Sequence, residues 1–220
     1  MPPTNPARRR AVADAAIALL AEAGVHGVTH RAVEKAAGLP PGTASNYFRS
    51  REALLVAAAE RVVELHQEEM AHAVAPPGND LAGMLADSLF TAATELRPRY
   101  LAIFELQLEA VRRPVLAEAL AGLEAGALRV TAGLHDDLGL GTSREGVAAL
   151  MALYGGALFT LVTAPPERIT RDGVRQVAAA IVRGALPAGP STASTTLPEG
   201  SGGGRGALPS GAGEVAPSNT

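Results

Sequence analysis

Residues 27–55 read GVTHRAVEKAAGLPPGTASNYFRSREALL, and this stretch decides how the N-terminal part of the chain folds. A short helix-forming segment is followed by a turn at Gly38 and by a second short segment. The second segment carries small and polar side chains instead of an apolar stripe. A helix-turn-helix needs this arrangement, because its first helix braces against the phosphates and its second places hydrogen-bonding side chains in the major groove.

The predicted second helix presents four short side chains outward, Thr43, Ala44, Ser45 and Asn46. Asn pairs bidentately with adenine, Ser and Thr hydroxyls bond to either partner, and an Ala methyl can meet the methyl of thymine. Tyr47, Arg49 and Arg51 follow at the far end of this helix, where a phosphate strand would pass. The pattern therefore predicts a double-stranded DNA partner.

The same segment resembles the DNA-binding domain of the TetR family. That family shows a Thr before the second helix, an Ala-Ala-Gly turn, a Gly-Thr pair, a Tyr-Phe pair and a Ser-Lys-Glu-x-Leu run. The chain supplies these as Thr29, Ala36-Ala37-Gly38, Gly42-Thr43, Tyr47-Phe48 and Ser50-Arg51-Glu52-Ala53-Leu54. The match covers about residues 8–56, and beyond it the chain resembles the family in size and helix count.

The resemblance implies roles for individual residues. Thr29, Tyr47 and Arg51 would contact phosphate, and Phe48 would lie in the core under the recognition helix. His30 would add a phosphate contact or remain an exposed, uninvolved side chain. The full set expected at DNA is Thr29, His30, Arg31, Thr43, Ala44, Ser45, Asn46, Tyr47 and Arg51. The chain departs from the family at Pro41, which replaces a polar or basic residue, and at Ala44 and Ser45, which replace bulkier ones.

Charge is distributed unevenly along the chain. Residues 1–51 carry seven Lys and Arg against three acidic residues, a net charge of +4, and the remainder carries −7. A basic head on an acidic body indicates that the head meets a polyanion. Arg8–Arg10, at the start of the first helix, would either approach the DNA backbone or form an ordinary solvated terminus.

Composition and periodicity predict an all-α protein with about nine helices. Aromatic residues make up 3% of the chain, Trp and Cys are absent, and Ala and Leu dominate, which favours helices and excludes thiolate chemistry. Apolar periodicity, capping residues and Gly or Pro breaks predict helices over 6–23, 30–37, 41–48, 51–74, 80–96, 98–112, 115–138, 143–163 and 170–186.

Four segments follow from this pattern. Residues 1–6 form a disordered start, 7–50 the helix-turn-helix domain, and 51–186 a helical ligand-binding and dimerisation domain. Residues 187–220 form a disordered tail, because 22 of these 34 residues are Gly, Pro, Ser or Thr and cannot bury enough apolar surface. No start resembling a signal peptide and no apolar run of about 18 residues appears, so a cytoplasmic protein without a membrane partner is expected.

The resemblance also implies a homodimer, paired through the last two helices, and a small-molecule effector. Dimer contacts are expected from the apolar stripes of these helices, at Leu150, Leu158, Leu161, Val174, Val177 and Ile181; completing the protomer's own core is the alternative role. A pocket needs apolar walls and a few polar groups. Its candidate lining residues, each of which could instead be plain core, are Met84, Phe90, Tyr100, Phe104, Gln107, Leu108, Met151 and Tyr154.

The character of the pocket suggests a hydrophobic or aromatic effector. Gln107 and Tyr154 are favoured because a buried amide or phenol must find a partner. Glu105 and Glu109, one turn apart, would attract a cationic compound or form a solvated helix face.

The sequence therefore predicts a repressor that releases a pseudo-palindromic operator when its effector binds. Two other classes remain open: an enzyme, and a helical interaction protein with a vestigial helix-turn-helix. No nucleophile motif or phosphate loop appears, and the five His residues lack metal-ligand spacing, so no catalytic residue, cofactor or metal is expected. Only the DNA binder should lose affinity steeply as the salt concentration rises.

Overall fold

The computed structural model describes residues 5–72, 80–137 and 143–186. Within these residues the chain forms nine α-helices and no strand, which confirms the predicted all-α fold. The helices are α1 (Pro6–Gly27), α2 (His30–Ala36), α3 (Thr43–Tyr47), α4 (Arg51–His72), α5 (Leu81–Ala93), α6 (Arg97–Ala110), α7 (Pro114–Asp137), α8 (Arg144–Thr163) and α9 (Arg171–Ala185). A 3-10 helix, Pro166–Arg168, joins α8 to α9.

Short polar residues fix where most helices begin. Thr29, Asp80, Ser143 and Thr170 each accept a hydrogen bond from the backbone N–H three residues later. Such side chains satisfy one of the four N–H groups that the first turn of a helix leaves free. Asn5 does the same for α1, so α1 begins inside the start predicted to be disordered. The predicted tail, 187–220, and the predicted loops 75–79 and 139–142 lie outside the described residues.

Glycine conformation bears on two predicted boundaries. α3 begins at Thr43 instead of residue 41, because Gly42 has a φ of +85°, which a helix cannot include. Gly24, predicted to close the first helix, has a φ of +65° and a ψ of −175° and breaks the helical path. This break agrees with the predicted end of the first helical segment at residue 23, and one further turn after it extends α1 to Gly27.

The core joins the N-terminal helices to the body. α1 packs against α6 and α4, while α2 and α3 lie beside α1. Phe48 is buried, as the resemblance implied. The largest fully buried side chains come from most of the helices: Leu20, Leu54, Leu55, Leu89, Leu106, Leu116 and Leu150.

α8 is a long, apolar helix of which little is covered. Its segment Glu145–Thr163 has a mean hydropathy of 1.8, long and apolar enough to cross a membrane, yet only 22% of that segment is buried. One such helix is weak evidence for a membrane span, because helices of soluble proteins meet the same criteria. An apolar helix face of this size needs a covering surface.

Candidate DNA-binding and effector sites

α3 presents part of the predicted DNA-reading surface. Ser45 and Asn46 are exposed, and Thr43 is half-buried. The hydroxyl of Thr43 donates to the carbonyl of Pro40 at 2.6 Å, and that of Ser45 donates to the carbonyl of Gly42 at 3.4 Å. These local hydrogen bonds orient the hydroxyls and leave their lone pairs available as acceptors.

Ala44 does not belong to this surface. It was expected to face out beside a base, but its exposed fraction is 0%. α3 has five residues, and one of its faces must pack against α1 and α2. The backbone N–H of Ala44 donates to the carboxylate of Glu34 at 2.8 Å in a buried position. The residue therefore supports the helix instead of reading DNA.

Arg51 is likewise turned toward the protein. Its guanidinium donates to the carbonyl of Val28 at 2.9 Å and also to the carbonyl of Val25. Both carbonyls lie at the end of α1, and that of Val25 also accepts from the N–H of Val28 at 3.3 Å. The predicted phosphate contact is corrected to a cap on α1.

His30 also has an internal partner, and its contact with phosphate stays a prediction. Its Nε2 lies 2.7 Å from the carbonyl oxygen of Phe48, so the ring joins the start of α2 to the end of α3. Thr29 is exposed and caps α2, and Arg31 is exposed. Tyr47 is half-buried, and its Oη has no hydrogen-bond partner in the part of the chain that the structure describes.

Of the three N-terminal arginines, Arg9 contacts side chains of other helices or loops. Its guanidinium carbon lies 4.8 Å from the centre of the Phe48 ring and its Nη2 lies 3.7 Å from Glu60. Arg9, Tyr47, Phe48 and Glu60 border an open cleft of about 450 Å³ between α1, α3 and α4. Arg8 and Arg10 are exposed and remain candidates for the DNA backbone.

A group of polar side chains, most of them half-buried and one of them exposed, lies in the body on α4, α5, α6 and α8. We call it the polar cluster, and its members are His66, Glu69, Ser88, Arg99, Tyr100 and Tyr154. Glu69 pairs with Arg99 at 2.5 Å, and the hydroxyls of Ser88 and Tyr154 lie 2.7 Å apart. The two tyrosines were predicted to line the pocket. Sequence spacing alone does not distinguish the other four members from polar residues on a solvent-exposed helix face.

Burial controls protonation in the polar cluster. It lowers the pKa of the His66 imidazole, and the Nδ1 of that ring is buried with no hydrogen-bond partner among the described residues. Burial also raises the pKa of Tyr100, and Tyr154 and Glu69 raise it further. The pKa of Tyr154 is raised by burial as well, against the opposing hydrogen bond from Ser88. Near neutral pH, the cluster therefore offers a neutral imidazole and two neutral phenols beside an ion pair.

The body also contains two contacts between aromatic or cationic side chains. Phe104 meets Phe159 edge to face with ring centres 5.1 Å apart, and Arg171 stacks on Phe90 at 4.2 Å. Met84 and Met151 are half-buried. The predicted lining residues Met84, Phe90, Phe104 and Met151 lie in the body, and their contact with an effector stays a prediction.

Two predicted lining residues face solvent. Leu108 is 59% exposed, and Gln107 is exposed as well, which removes the argument that its amide is buried. The two glutamates of the same helix have partners in the protein. Glu105 accepts from the N–H of Val25 at 3.0 Å, and hydrogen bonds from Arg113 and Arg112 lower the pKa of Glu109.

Four of the six predicted dimer contacts are corrected to core residues, and Leu161 and Val177 stay predictions. Leu150, Leu158, Val174 and Ile181 are at most 8% exposed and belong to the protomer's own core. Leu161 and Val177 are half-buried beside them. Both helices have the predicted apolar stripes, but these stripes face inward. The exposed face of α8 is a different one, formed by Ala149, Ala152, Leu153, Gly156 and Phe159, which we call the outer α8 face.

A helix-turn-helix joined to a helical body defines a class of DNA-binding regulators. Residues 12–58 match the family described as bacterial regulatory proteins, tetR family, and residues 76–188 match the tetracyclin repressor-like C-terminal domain. No curated protein matches the chain. The chain belongs to the TetR family of bacterial transcriptional regulators.

Solved structures agree with this assignment. The multidrug binding protein EbrR complexed with ethidium is 29% identical, with a TM-score of 0.61 over 80% of this chain and 99% of that chain. EbrR complexed with proflavin is 29% identical, with a TM-score of 0.56 over 79% and 99%. A TetR-family member from Streptomyces coelicolor A3 is also 29% identical, with a TM-score of 0.60 over 79% and 97%.

Proposed function

We propose that this regulator is a homodimeric repressor that binds a pseudo-palindromic operator and releases it when a cationic aromatic compound binds the body. The observation that carries the proposal is the pairing of an exposed reading surface on α3 with the polar cluster in the body. A sensor that couples two ligands needs two separate sites whose occupancies favour different conformations.

DNA reading is assigned to Ser45 and Asn46, the exposed residues of α3. The test is fluorescence anisotropy of the full chain on DNA flanking its own gene, across a salt series, with random duplex as control. We expect selective binding that weakens as salt rises, because phosphate contacts release counterions. Asn46→Ala should chiefly relax preference at one base pair, worth about 1–3 kcal/mol. Salt-insensitive binding, equal on both duplexes, would contradict the proposal.

The negative charge of Glu69 is the reason that we propose a cationic effector. At His66 and Tyr100 the effect of Glu69 outweighs that of Arg99, and at Tyr154 only Glu69 of this pair contributes. Glu69 therefore places a carboxylate near these side chains, and the phenol rings supply faces that attract cations. Ethidium and proflavin, which EbrR binds, are planar aromatic cations.

Ethidium titration, followed by the dye's fluorescence, tests this assignment. We expect the parent chain to bind the dye and Glu69→Gln to bind it at least tenfold more weakly, the factor that 1.4 kcal/mol represents. Glu95→Gln is the matched control, because Glu95 is exposed in the turn before α6. Equal loss in both variants would point to general charge attraction, and no loss in either would remove Glu69 from the site.

A hydrogen bond between body and head offers a route for the signal. The carboxylate of Glu105 on α6 accepts from the N–H of Val25, in the last turn of α1 before the helix-turn-helix. Arg51 at the start of α4 holds the carbonyl of the same residue. Movement of α4 or α6 on effector binding would therefore reach the recognition helix through Val25. Glu105→Ala, which removes the acceptor, should bind the operator but respond less to ethidium, measured as the dye concentration that halves operator binding.

The dimer is assigned to the outer α8 face. Exposed Leu153 and Phe159 flank the small residues Ala149, Ala152 and Gly156, which allow a close approach between helices. Covering this face in a twofold dimer would place two recognition helices on one duplex, as two half-sites require.

A further inference from the structure

Glu34 is the charged side chain that the fold buries most completely. It is 7% exposed, and within the described ranges it is the one polar or charged residue in the buried class. Buried carboxylates are costly unless hydrogen bonds compensate for lost hydration. Glu34 lies on α2, and its Oε1 accepts from the N–H of Ala44 on α3 at 2.8 Å.

α3 lacks the side-chain cap that most helices of this chain possess. Its N-cap is Gly42, which has no side chain, and the hydroxyls of Thr43 and Ser45 donate to carbonyls instead of accepting from N–H groups. The N–H of Thr43 reaches the carbonyl of Pro40 at 3.2 Å. The N–H of Ala44 is buried, and Glu34 is its partner. The carboxylate therefore substitutes for the missing cap.

The small size of Ala44 makes this contact compatible with close packing. Its methyl is fully buried, so the backbone of α3 lies close to α2, within reach of the carboxylate. A hydrogen bond to a charged acceptor is stronger than a neutral one and fixes direction as well as distance. It ties α2 to α3 two residues before Asn46, on the exposed reading surface.

We infer that Glu34 is a positioning residue for sequence recognition: it fixes the recognition helix relative to α2 without touching DNA. Because phosphate contacts dominate non-specific binding, loss of the Glu34 hydrogen bond should affect selective binding far more than non-specific binding. The effect on sequence recognition rests on the proposed DNA reading by α3. The hydrogen bond between Glu34 and Ala44 rests on the structure alone.

Selection from a randomised duplex library tests the effect on sequence recognition. The parent chain selects a preferred duplex, and binding of Glu34→Gln and Glu34→Leu to that duplex and to random duplex is then compared. We expect Glu34→Gln, which keeps an accepting oxygen, to stay within about threefold of the parent. Glu34→Leu, which fills the space without an acceptor, should lose at least about tenfold in the ratio of selected to random affinity, the factor of 1.4 kcal/mol. A ratio for Glu34→Leu equal to that of the parent would overturn the inference.

Hydrogen exchange of the free protein at the Ala44 amide keeps the test independent of the operator. Exchange in Glu34→Leu should be at least about tenfold faster than in the parent at equal global stability, and Glu34→Gln should resemble the parent. Unchanged exchange in Glu34→Leu would overturn the inference even if DNA binding fell. A parent that selects no duplex, with faster exchange in Glu34→Leu, would refute the proposed DNA reading while leaving the positioning role supported.

Discussion

Arg51 shows how a basic side chain of a helix-turn-helix can stabilise its own protein. The residue type and position match a phosphate contact, but the guanidinium donates to two carbonyls that end α1. A sequence pattern identifies the side chain and its approximate place. It does not determine whether the guanidinium turns toward solvent or toward the carbonyls at the end of α1, because that choice depends on how α1 ends at Gly27.

Replacing Arg51 should therefore cost stability. Arg51→Ala leaves the carbonyls of Val25 and Val28 without their charged donor, and we expect a loss of about 1.5–3 kcal/mol in the free energy of unfolding. Arg49→Ala, an exposed neighbour, should change it by less than about 0.5 kcal/mol. Urea unfolding measures both. Equal stability of Arg51→Ala and parent, with weaker DNA binding, would restore the phosphate role.

His66 should make stability depend on pH. Its pKa is lowered below the ordinary value of 6.5, chiefly by burial, so the folded protein prefers the neutral ring. The unfolded chain then binds the proton more readily, and the stabilisation present above about pH 6.5 is lost as the pH falls through this value toward the lowered pKa.

Unfolding midpoints at pH 7.5 and 5.5 test the role of His66. The parent should lose more stability on acidification than His66→Gln, whereas His26→Gln, altered at an exposed position, should follow the parent. Parallel curves for the parent and His66→Gln would exclude His66 as the source of the pH dependence.

At the scale of elements, local patterns predicted most helix starts and missed packing directions. Thr29, Ser50 and Thr170 are caps that a sequence displays directly, since each needs only its own following turn. The predicted start of α3 at residue 41 was wrong, because Pro41 is compatible with a turn before Gly42 as well as with the first turn of a helix. The partner of Ala44 could not be predicted, since Glu34 reaches it only after two helices pack.

Gly24 gives a prediction about the end of α1. A side chain is strained at its φ of +65°, and an added Cβ would lie 3.2 Å from the carboxylate of Glu105. Gly24→Ala should therefore lose about 1–3 kcal/mol of unfolding free energy. Gly126→Ala, inside α7 with no atom within 4 Å of the new Cβ, should instead gain about 0.5–1 kcal/mol. Thermal unfolding separates the two, and a stabilised Gly24→Ala would show that the turn relaxes.

At the scale of the whole molecule, the apolar periodicity of α8 has two solutions. A stripe can close the protomer's core or face a partner, and both satisfy the same 3.6-residue repeat. Leu150 and Leu158 pack into the core of the protomer. The proposed contact with a second protomer therefore rests on the weaker pattern of small residues at Ala149, Ala152 and Gly156. From the sequence alone, the more hydrophobic face is predicted to be the dimer contact, but in the structure that face packs into the core of the protomer.

Gly156→Glu tests the dimer without disturbing the protomer. Nothing lies within 4 Å of an added Cβ at Gly156, so the protomer can hold the new side chain in solvent. At a close helix contact the same carboxylate would be buried unpaired, which is strongly unfavourable. We expect sedimentation velocity to show a dimeric parent and a monomeric Gly156→Glu with weaker operator binding, because one protomer reaches only one half-site.

Gly133→Glu is the matched control, because Gly133 is exposed on α7 and an added Cβ there also meets open space. It introduces the same charge on the same background and should remain dimeric. A monomeric parent would refute the dimer itself, and a dimeric Gly156→Glu would move the interface away from the outer α8 face. If both variants dissociated, repulsion between acidic protomers would account for the effect better than burial of one carboxylate, since only that repulsion is common to two separate helices.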